Sequence, residues 1–457
     1  MNRLRTIGKW SFLSALFVLV VIASAWAVSR AMYPTEAQRE AVAELESQPD
    51  FRGENAFALL WTLERDVPDD ALEDVMAEDV RQFSAKPPLP DIEAGESWGV
   101  ESAAVAYPDL EPSREDSGLF CTSRNEDCLE RVRNDLEGYT ALINRNRALL
   151  ERVEKLHDYD FVRSEFPYRI NTPQPAFTPV FLLRTRHAVR FASGRSHEAI
   201  EDTCREMATW RRLGARSDNL ITRLIGAAAV TDQSGFMLAN MLAERPVDET
   251  LPEACDEALA PPDIEDLSMC NAMRGEFGMG ANSTRNLEYP DTRDGMTWLD
   301  RALLPMFFDA EATVGLIAEG VHSLCGQAER ERLLADQRAM PEPQRPGMLR
   351  FPCIGNPIGC MMNSLGWPAY ADYRRRLQDY GAKLRVLGTL AWMRRHAGNG
   401  HSPAEMLAAR PDDLKSPQRD ITFGPDGRSL RSPLYFTKRG EHWSIPLPPE
   451  LHVPAAD

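Results

Sequence analysis

The stretch from Thr178 to Glu244, TPVFLLRTRHAVRFASGRSHEAIEDTCREMATWRRLGARSDNLITRLIGAAAVTDQSGFMLANMLAE, decides the fold class. Phe181 to Ala192 reads as one helix, and Ser193-Gly194-Arg195-Ser196 as a turn. A second helix follows, with Ile200, Cys204, Met207, Ala208 and Arg211 at helical spacing. Ser217 or Asp218 is the expected cap of a third, whose face carries Ile221, Leu224, Ile225 and Ala228. Short connections between amphipathic helices make antiparallel neighbours, so this part reads as helical hairpins. No fixed period recurs three times, which excludes a regular repeat array.

Upstream, a helix is expected from Asp127 to about Leu156, with Leu129, Val132, Leu136, Tyr139, Leu142 and Ile143 on one face. Residues 158–179 break the pattern with four prolines and several aromatics, and are too apolar for a free linker. They are expected to wrap the body. Asn55 to Arg65 reads as a short docking helix, 66–82 as acidic helix, and 35–47 as a polar stalk. Residues 85–118, rich in Pro, Gly, Ser and acids, read as a surface loop.

Downstream, helices are expected at about 263–277, 295–304 and 309–338, then a Pro/Gly-rich loop at 341–360. A last helix, about 367–397, takes Pro368 in its first turn and buries Leu377, Tyr380, Leu384, Leu387 and Leu390. The character then changes. Ile421–Phe423, Leu434–Thr437 and Trp443–Ile445 read as strands, with turns at Gly424–Gly427 and Arg439–Glu441. The fold class is therefore mainly α: a multi-helix body with a small C-terminal antiparallel β meander, which needs the last helix for support.

The N-terminal segment is of another kind. Arg3, Arg5 and Lys9 precede an uncharged run from Trp10 to Val28, closed by Arg30. At ~1.5 Å rise per residue this run spans about 28 Å, close to a bilayer's hydrocarbon thickness of roughly 30 Å. Trp10 and Trp26 sit near its ends, where indole rings favour the interface. Basic residues on the N-terminal flank set that end inside and the body outside. The expectation is a single-pass signal-anchor in an inner membrane, with the body in the periplasm. The alternative is a cleaved signal peptide, with an apolar region at Phe12–Ala23 and a cleavage pattern at Ala25-Trp26-Ala27. The organisation read is a membrane segment at 1–30, stalk, docking helix and acidic loop at 31–118, helical body at 119–400 and meander at 401–457.

Eight cysteines, an even number in an exported chain, read as disulfides. Cys121 with Cys128 and Cys353 with Cys360 share one spacing in loop-like sequence. Each such bridge should stabilise by roughly 2–3 kcal/mol in the chain-entropy account. Cys255 with Cys270 is the expected third pair; Cys204 and Cys325 are left as an interhelical bridge or two buried thiols. The absence of C-x-x-C and of histidines at ligand spacing argues against zinc and against redox catalysis.

The net charge of −17 repels phosphate backbones, so nucleic acid is not an expected partner. It also disfavours tight lying-down contact with anionic lipid. Arg greatly outnumbers Lys, in keeping with a GC-rich bacterial genome.

Two stretches resemble uncharacterised membrane-tethered or exported helical proteins of GC-rich Gram-negative bacteria. Arg186–Ala229 looks like a helix pair of that group: a Gly/Ser turn, an Ala-Ile helix start, an Arg-rich end and a helix opening Asn-Leu-Ile. Leu387–Pro417 looks like its terminal unit, with His401-Ser402-Pro403, an Ala-rich short helix and Asp412-Asp413-Leu414-Lys415-Ser416-Pro417 before a few strands. The resemblance covers under a fifth of the chain. It implies a membrane-tethered helical body and carries over no catalytic residues.

Four runs invite a chemical reading. His157-Asp158-Tyr159-Asp160 offers a base beside carboxylates, but neighbours at a helix end serve more often as a cap and surface cluster. His396 and His401 flank a glycine turn, where a histidine more often meets the helix dipole than a metal. Arg274-Gly275-Glu276-Phe277-Gly278-Met279-Gly280 lacks the strand before and the Gly-Lys-Ser after that a phosphate loop requires, and reads as a helix end leading into a flexible loop. Asn282-Ser283-Thr284 matches a glycosylation sequon by pattern only. Neither G-x-S-x-G nor H-E-x-x-H occurs. No cofactor, metal or catalytic residue is assigned. The expected function is a membrane-tethered binding or scaffold component of the cell envelope whose partner is another envelope protein. The alternative is an envelope hydrolase with a carboxylate or histidine site.

Overall fold

A computed structural model describes residues 2–47, 49–87, 99–121, 127–287, 297–339, 350–438 and 440–455; of residues 2–8 and 365–369 it describes the backbone alone. The expected loop segment 88–98, the residues between Cys121 and Asp127, residues 340–349 of the Pro/Gly-rich loop and Arg439 of the last turn lie outside this description. The chain is mainly α with a small terminal sheet, as its periodicity implies.

Helix α1 spans Asn2–Met32. Helix α2, Glu36–Glu46, starts at a capping box in which the Thr35 hydroxyl accepts from the Gln38 amide and the Gln38 side chain accepts from the Thr35 amide. It is not a free stalk. Its buried face of Gln38, Ala41 and Leu45 lies on the body, and Arg274 donates to the Glu44 and Ser47 carbonyls at its C-terminus.

Helices α3 (Phe57–Trp61), α4 (Leu72–Ala85) and α5 (Arg114–Leu119) follow. The single helix expected from Asp127 to Leu156 is three: α6 (Cys128–Asn134), α7 (Leu136–Arg145) and α8 (Arg147–Glu154). The reason is local competition for backbone groups. Asp135 leaves the helical region and its carboxylate caps α7 through the Gly138 amide. Asn146 interrupts the run again between α7 and α8, without capping α8: its side-chain amide donates to the Leu142 carbonyl and to Asp116.

Residues 158–179 wrap the body. The Phe161 carbonyl accepts from the Ala56 amide, and the Val162 amide donates to the Arg216 carbonyl. Phe166 is buried among Phe57, Trp61 and Phe83 at centroid distances of 4.9–5.9 Å.

The hairpin region comprises α9 (Leu183–Ala192), α10 (Ser196–Ala215), α11 (Leu220–Ala228) and α12 (Phe236–Ala243), with a π-helical segment, Ala229–Gly235, joining the last two. The cap of α11 is Asn219, whose side chain accepts from the Thr222 amide, and not Ser217 or Asp218. Asp218 instead turns inward, where Tyr168 and the Ser164 amide donate to it.

Then come α13 (Ala254–Ala258), α14 (Ile264–Leu267), α15 (Cys270–Asn286), α16 (Trp298–Phe307), α17 (Ala310–Ser323), α18 (Gln327–Leu334) and α19 (Phe351–Gly355). The 40-residue α20, Pro357–His396, is the longest. It begins ten residues before the expected start at 367, and Pro368 falls in its interior. Pro357 occupies the first turn, and the Asn356 side chain caps it through the Gly359 amide. Helix α21 spans Pro403–Ala409 behind a Ser402–Glu405 capping box.

The sheet has order β1 (Thr422–Phe423), β2 (Ser429–Pro433), β3 (His442–Pro446), antiparallel throughout, with Leu430 opposite Ile445 on the buried face. The strand expected at Leu434–Thr437 lies one segment earlier. The Tyr435 and Phe436 amides donate to the Asp379 carboxylate on α20, so they are spent on the helix and not on a ladder. One buried apolar cluster extends from Ala41 in α2 to Leu451 near the C-terminus.

All eight cysteines are paired: Cys121–Cys128, Cys204–Cys255, Cys270–Cys325 and Cys353–Cys360. The expected Cys255–Cys270 bridge is replaced. Cys204 on α10 meets Cys255 on α13, and Cys270 on α15 meets Cys325 beyond α17, because these helices pack side by side. The Cys353–Cys360 bridge lies not in a loop but across the α19–α20 junction.

Candidate ligand cleft

The π-helical segment carries the one acid of the run Ala227–Met237. A π-turn inserts a residue into the helix and re-aims the side chains that follow; such turns are frequent at functional sites. Here Asp232 is turned toward α20, where its carboxylate takes an ion pair from Lys383 at 2.5 Å. Both side chains are largely withdrawn from solvent. The Lys383 ammonium lies 5.8 Å from the centre of the Trp443 ring on β3.

This pair stands in a cleft of about 650 Å³ bounded by α11, the π segment, α20 and the terminal sheet. One wall is apolar, with Ile221, Leu224, Ile225 and Phe181. The opposite wall is aromatic and basic. Arg376 on α20 lies over Phe436 at 4.4 Å and Tyr373 at 5.4 Å. Its Nε is buried and unbonded, and the guanidinium has no ion-pair partner among the described residues. His442 and Trp443 close the sheet side of the cleft.

The floor is fixed by a buried charge network. Arg419 pairs with Asp336 and Asp379, both at 2.6 Å, and stacks on Tyr435 at 3.8 Å. Burial works against the guanidinium charge, but the hydrogen bond to Asp336 and the neighbouring acids outweigh it and hold the proton more firmly than usual. Asp379 thereby ties the meander to α20.

The runs singled out in the sequence lie elsewhere. His157 is partly buried with Nε2 unbonded, and burial pushes its pKa down; Asp160 accepts from the Glu54 amide. His396 stacks on Trp392, bonded to that residue's carbonyl, while His401 is exposed. Among the described residues no group of three or more His, Cys, Asp or Glu is placed to hold a metal ion. The glycine run of Arg274–Gly280 is not a helix end. It is the middle of α15, packed against Asp218 and Tyr168.

Two arrangements had no sequence signal. One is the cleft, whose parts come from residues 181, 221–236, 373–383 and 434–444. The other is His187 of α9, 2.8 Å from Glu206 of α10 and fully enclosed. No ligand can reach that pair, so it serves the packing of the hairpin.

The class these features define is a disulfide-stabilised helical protein with one exposed apolar N-terminal helix. Among the described residues Lys9–Met32 is the helix long and apolar enough to cross a membrane. No protein family, curated protein or solved structure matches the chain.

Proposed function

We propose that this is a membrane-tethered binding protein of the bacterial envelope, anchored by α1, with its body in the periplasm and its cleft taking an amphipathic anionic group of another envelope component. The observation that carries the binding reading is Arg376. A guanidinium held on two rings at the cleft wall, with its Nε unbonded and no ion-pair partner among the described residues, offers an arriving anion a charge-assisted contact. The facing apolar wall suits a hydrophobic body attached to that anion. The two cleft carboxylates, Asp232 and Asp379, are each engaged by a cation, which favours binding over acid–base chemistry.

Two features support the anchor. The exposed run of α1 has a bilayer's length, and four disulfides suit an oxidising compartment. Retention of α1, in place of cleavage after Ala27, is supported by Trp26, whose indole donates to the Met306 carbonyl at 2.8 Å; the residues just beyond that point hold the same end of the helix on the body in either case. Ser29 is 1 % exposed, its hydroxyl bonded to the Phe351 carbonyl and the Gly355 amide, and Arg30 pairs with Asp309 at 3.2 Å.

The test of the cleft is titration with anilinonaphthalene sulfonate, an aromatic anion, beside uncharged phenylnaphthylamine. Saturable binding of the anion, weakened at least about tenfold by Arg376→Ala with phenylnaphthylamine little affected, is expected from the loss of one charge-assisted contact. Equal binding of the anion by both proteins would refute the assignment. For the topology, a C-terminal fusion to a reporter active only in an oxidising compartment should be active.

A further inference from the structure

Helix α16 is the least supported element of the body. None of its ten residues is buried. Isolated helices shorter than about 12–15 residues are marginal in water, so a ten-residue helix that buries nothing needs another surface. Its start is nevertheless well defined by a capping box between Thr297 and Asp300.

The exposed residues are not a polar set. Trp298 and Met306, and Leu299, Leu303 and Phe307, recur at spacings of four or eight, so they form one broad apolar face, with Asp300 at its border and Arg301 opposite. Trp298 is 80 % exposed. Phe351 of α19, also exposed, stands at the same end of α1, its carbonyl accepting from the Ser29 hydroxyl.

The place of this face decides what covers it. The Trp26 indole of α1 donates to the Met306 carbonyl at 2.8 Å. One turn on, Arg30 donates to the Phe308 carbonyl at 3.2 Å and pairs with Asp309. The C-terminal end of α16 is therefore held beside the end of the apolar run of α1. If α1 spans a bilayer, Trp26 lies at its outer interface, and hydrogen bonding puts Met306 at the same depth.

We infer that α16 is an interfacial helix, lying in the outer headgroup layer with Trp298, Leu299, Leu303, Met306 and Phe307 toward the acyl chains. This rests on the reading of α1 as a membrane span. Together the two helices make a two-point attachment that fixes the orientation of the body, and hence of the cleft, over the membrane. The contact is apolar, so neither the overall charge of −17 nor added salt should release it.

The full-length protein in phosphatidylcholine bilayer discs, carrying a photo-crosslinking p-benzoylphenylalanine at one position, tests this. Leu303→p-benzoylphenylalanine should yield lipid adducts comparable with those from Val20 in α1, unchanged at high salt, while the exposed Ile170 should yield almost none. Lipid adducts at Val20 without them at Leu303 would overturn the interfacial helix and leave the span standing. Their absence at both positions would remove the span and the inference with it. A protein adduct at Leu303 in intact cells, in place of lipid, would make α16 a docking surface and overturn the proposal.

Discussion

The amide of Gly275 in α15 donates to the backbone carbonyl of Asp218, 3.0 Å away, so that a helix and the turn before α11 meet backbone to backbone. A β-carbon at position 275 would stand 2.2 Å from that carbonyl oxygen, and one at 278 would stand 2.6 Å from the Tyr168 ring. The glycines of the Arg274–Gly280 run are present for this approach.

Gly275→Ala should therefore destabilise the body by about 3 kcal/mol, the upper part of the range for overpacking, since backbone cannot step aside as a side chain does. Gly280→Ala, with only ordinary contacts at 3.7 Å or more, should change little and gain some helix propensity. Denaturant midpoints of the two variants check the contrast. Equal midpoints would mean that the approach of α15 to Asp218 is looser than described.

Asp218 gives a pH dependence of definite sign. Burial, which outweighs the hydrogen bonds from Tyr168 and Ser164, raises its pKa to about 6. A folded pKa above the unfolded one means the folded state holds the proton more tightly. The stabilising share is then complete below about pH 4 and is lost as pH rises through about 6. The change amounts to about 3 kcal/mol at 1.36 kcal/mol per pH unit. Asp218→Asn should flatten that part of the stability profile. An unaltered slope between pH 4 and 6 in the variant would rule Asp218 out as its source.

Arg419 joins Asp336 and Asp379 at the seat of the terminal sheet. Arg419→Met removes the cation and leaves two carboxylates buried, which should cost about 3–5 kcal/mol. The loss should appear first as faster amide exchange in Ser429–Pro446, because Asp379 also holds the Tyr435 and Phe436 amides. Exchange that accelerates evenly over the whole chain would show that the sheet does not depend on this anchor.

The disulfides should differ in weight. Cys270–Cys325 closes a sequence separation of 55 and Cys353–Cys360 one of 7. In the chain-entropy account, replacing the first pair by serines should cost about 4 kcal/mol and the second about 2.5 kcal/mol. Unfolding of the two double variants decides this, and the reverse order would point to native-state contacts as the controlling factor.

Much of the helical body was legible because its signals are local. Apolar spacing in α10 and α11 and the even cysteine count are signals of this kind, whereas the proline signal was misplaced, since Pro357 and not Pro368 stands in the first turn of α20. The failures also have local causes. Asp135 and Asn146 bond to the backbone and cut one helix into three, which apolar periodicity does not register. The Leu434–Thr437 segment has strand composition, but Asp379 takes the amides of Tyr435 and Phe436. The cleft had no mark in the sequence, because its lining comes from four segments far apart and a lone acid such as Asp232 is ordinary on a helix.

Read alone, the residues settle the helical class, the bilayer-length apolar run at the N-terminus and the presence of a sheet after the last helix, since each follows from spacing along one segment. Which cysteines meet, where Arg376 and Lys383 stand relative to Asp232, and that α16 lies beside the end of α1 depend on which segments pack together. Those outcomes are set by burial of the shared core and by partners far apart in the chain, so only the folded structure decides them.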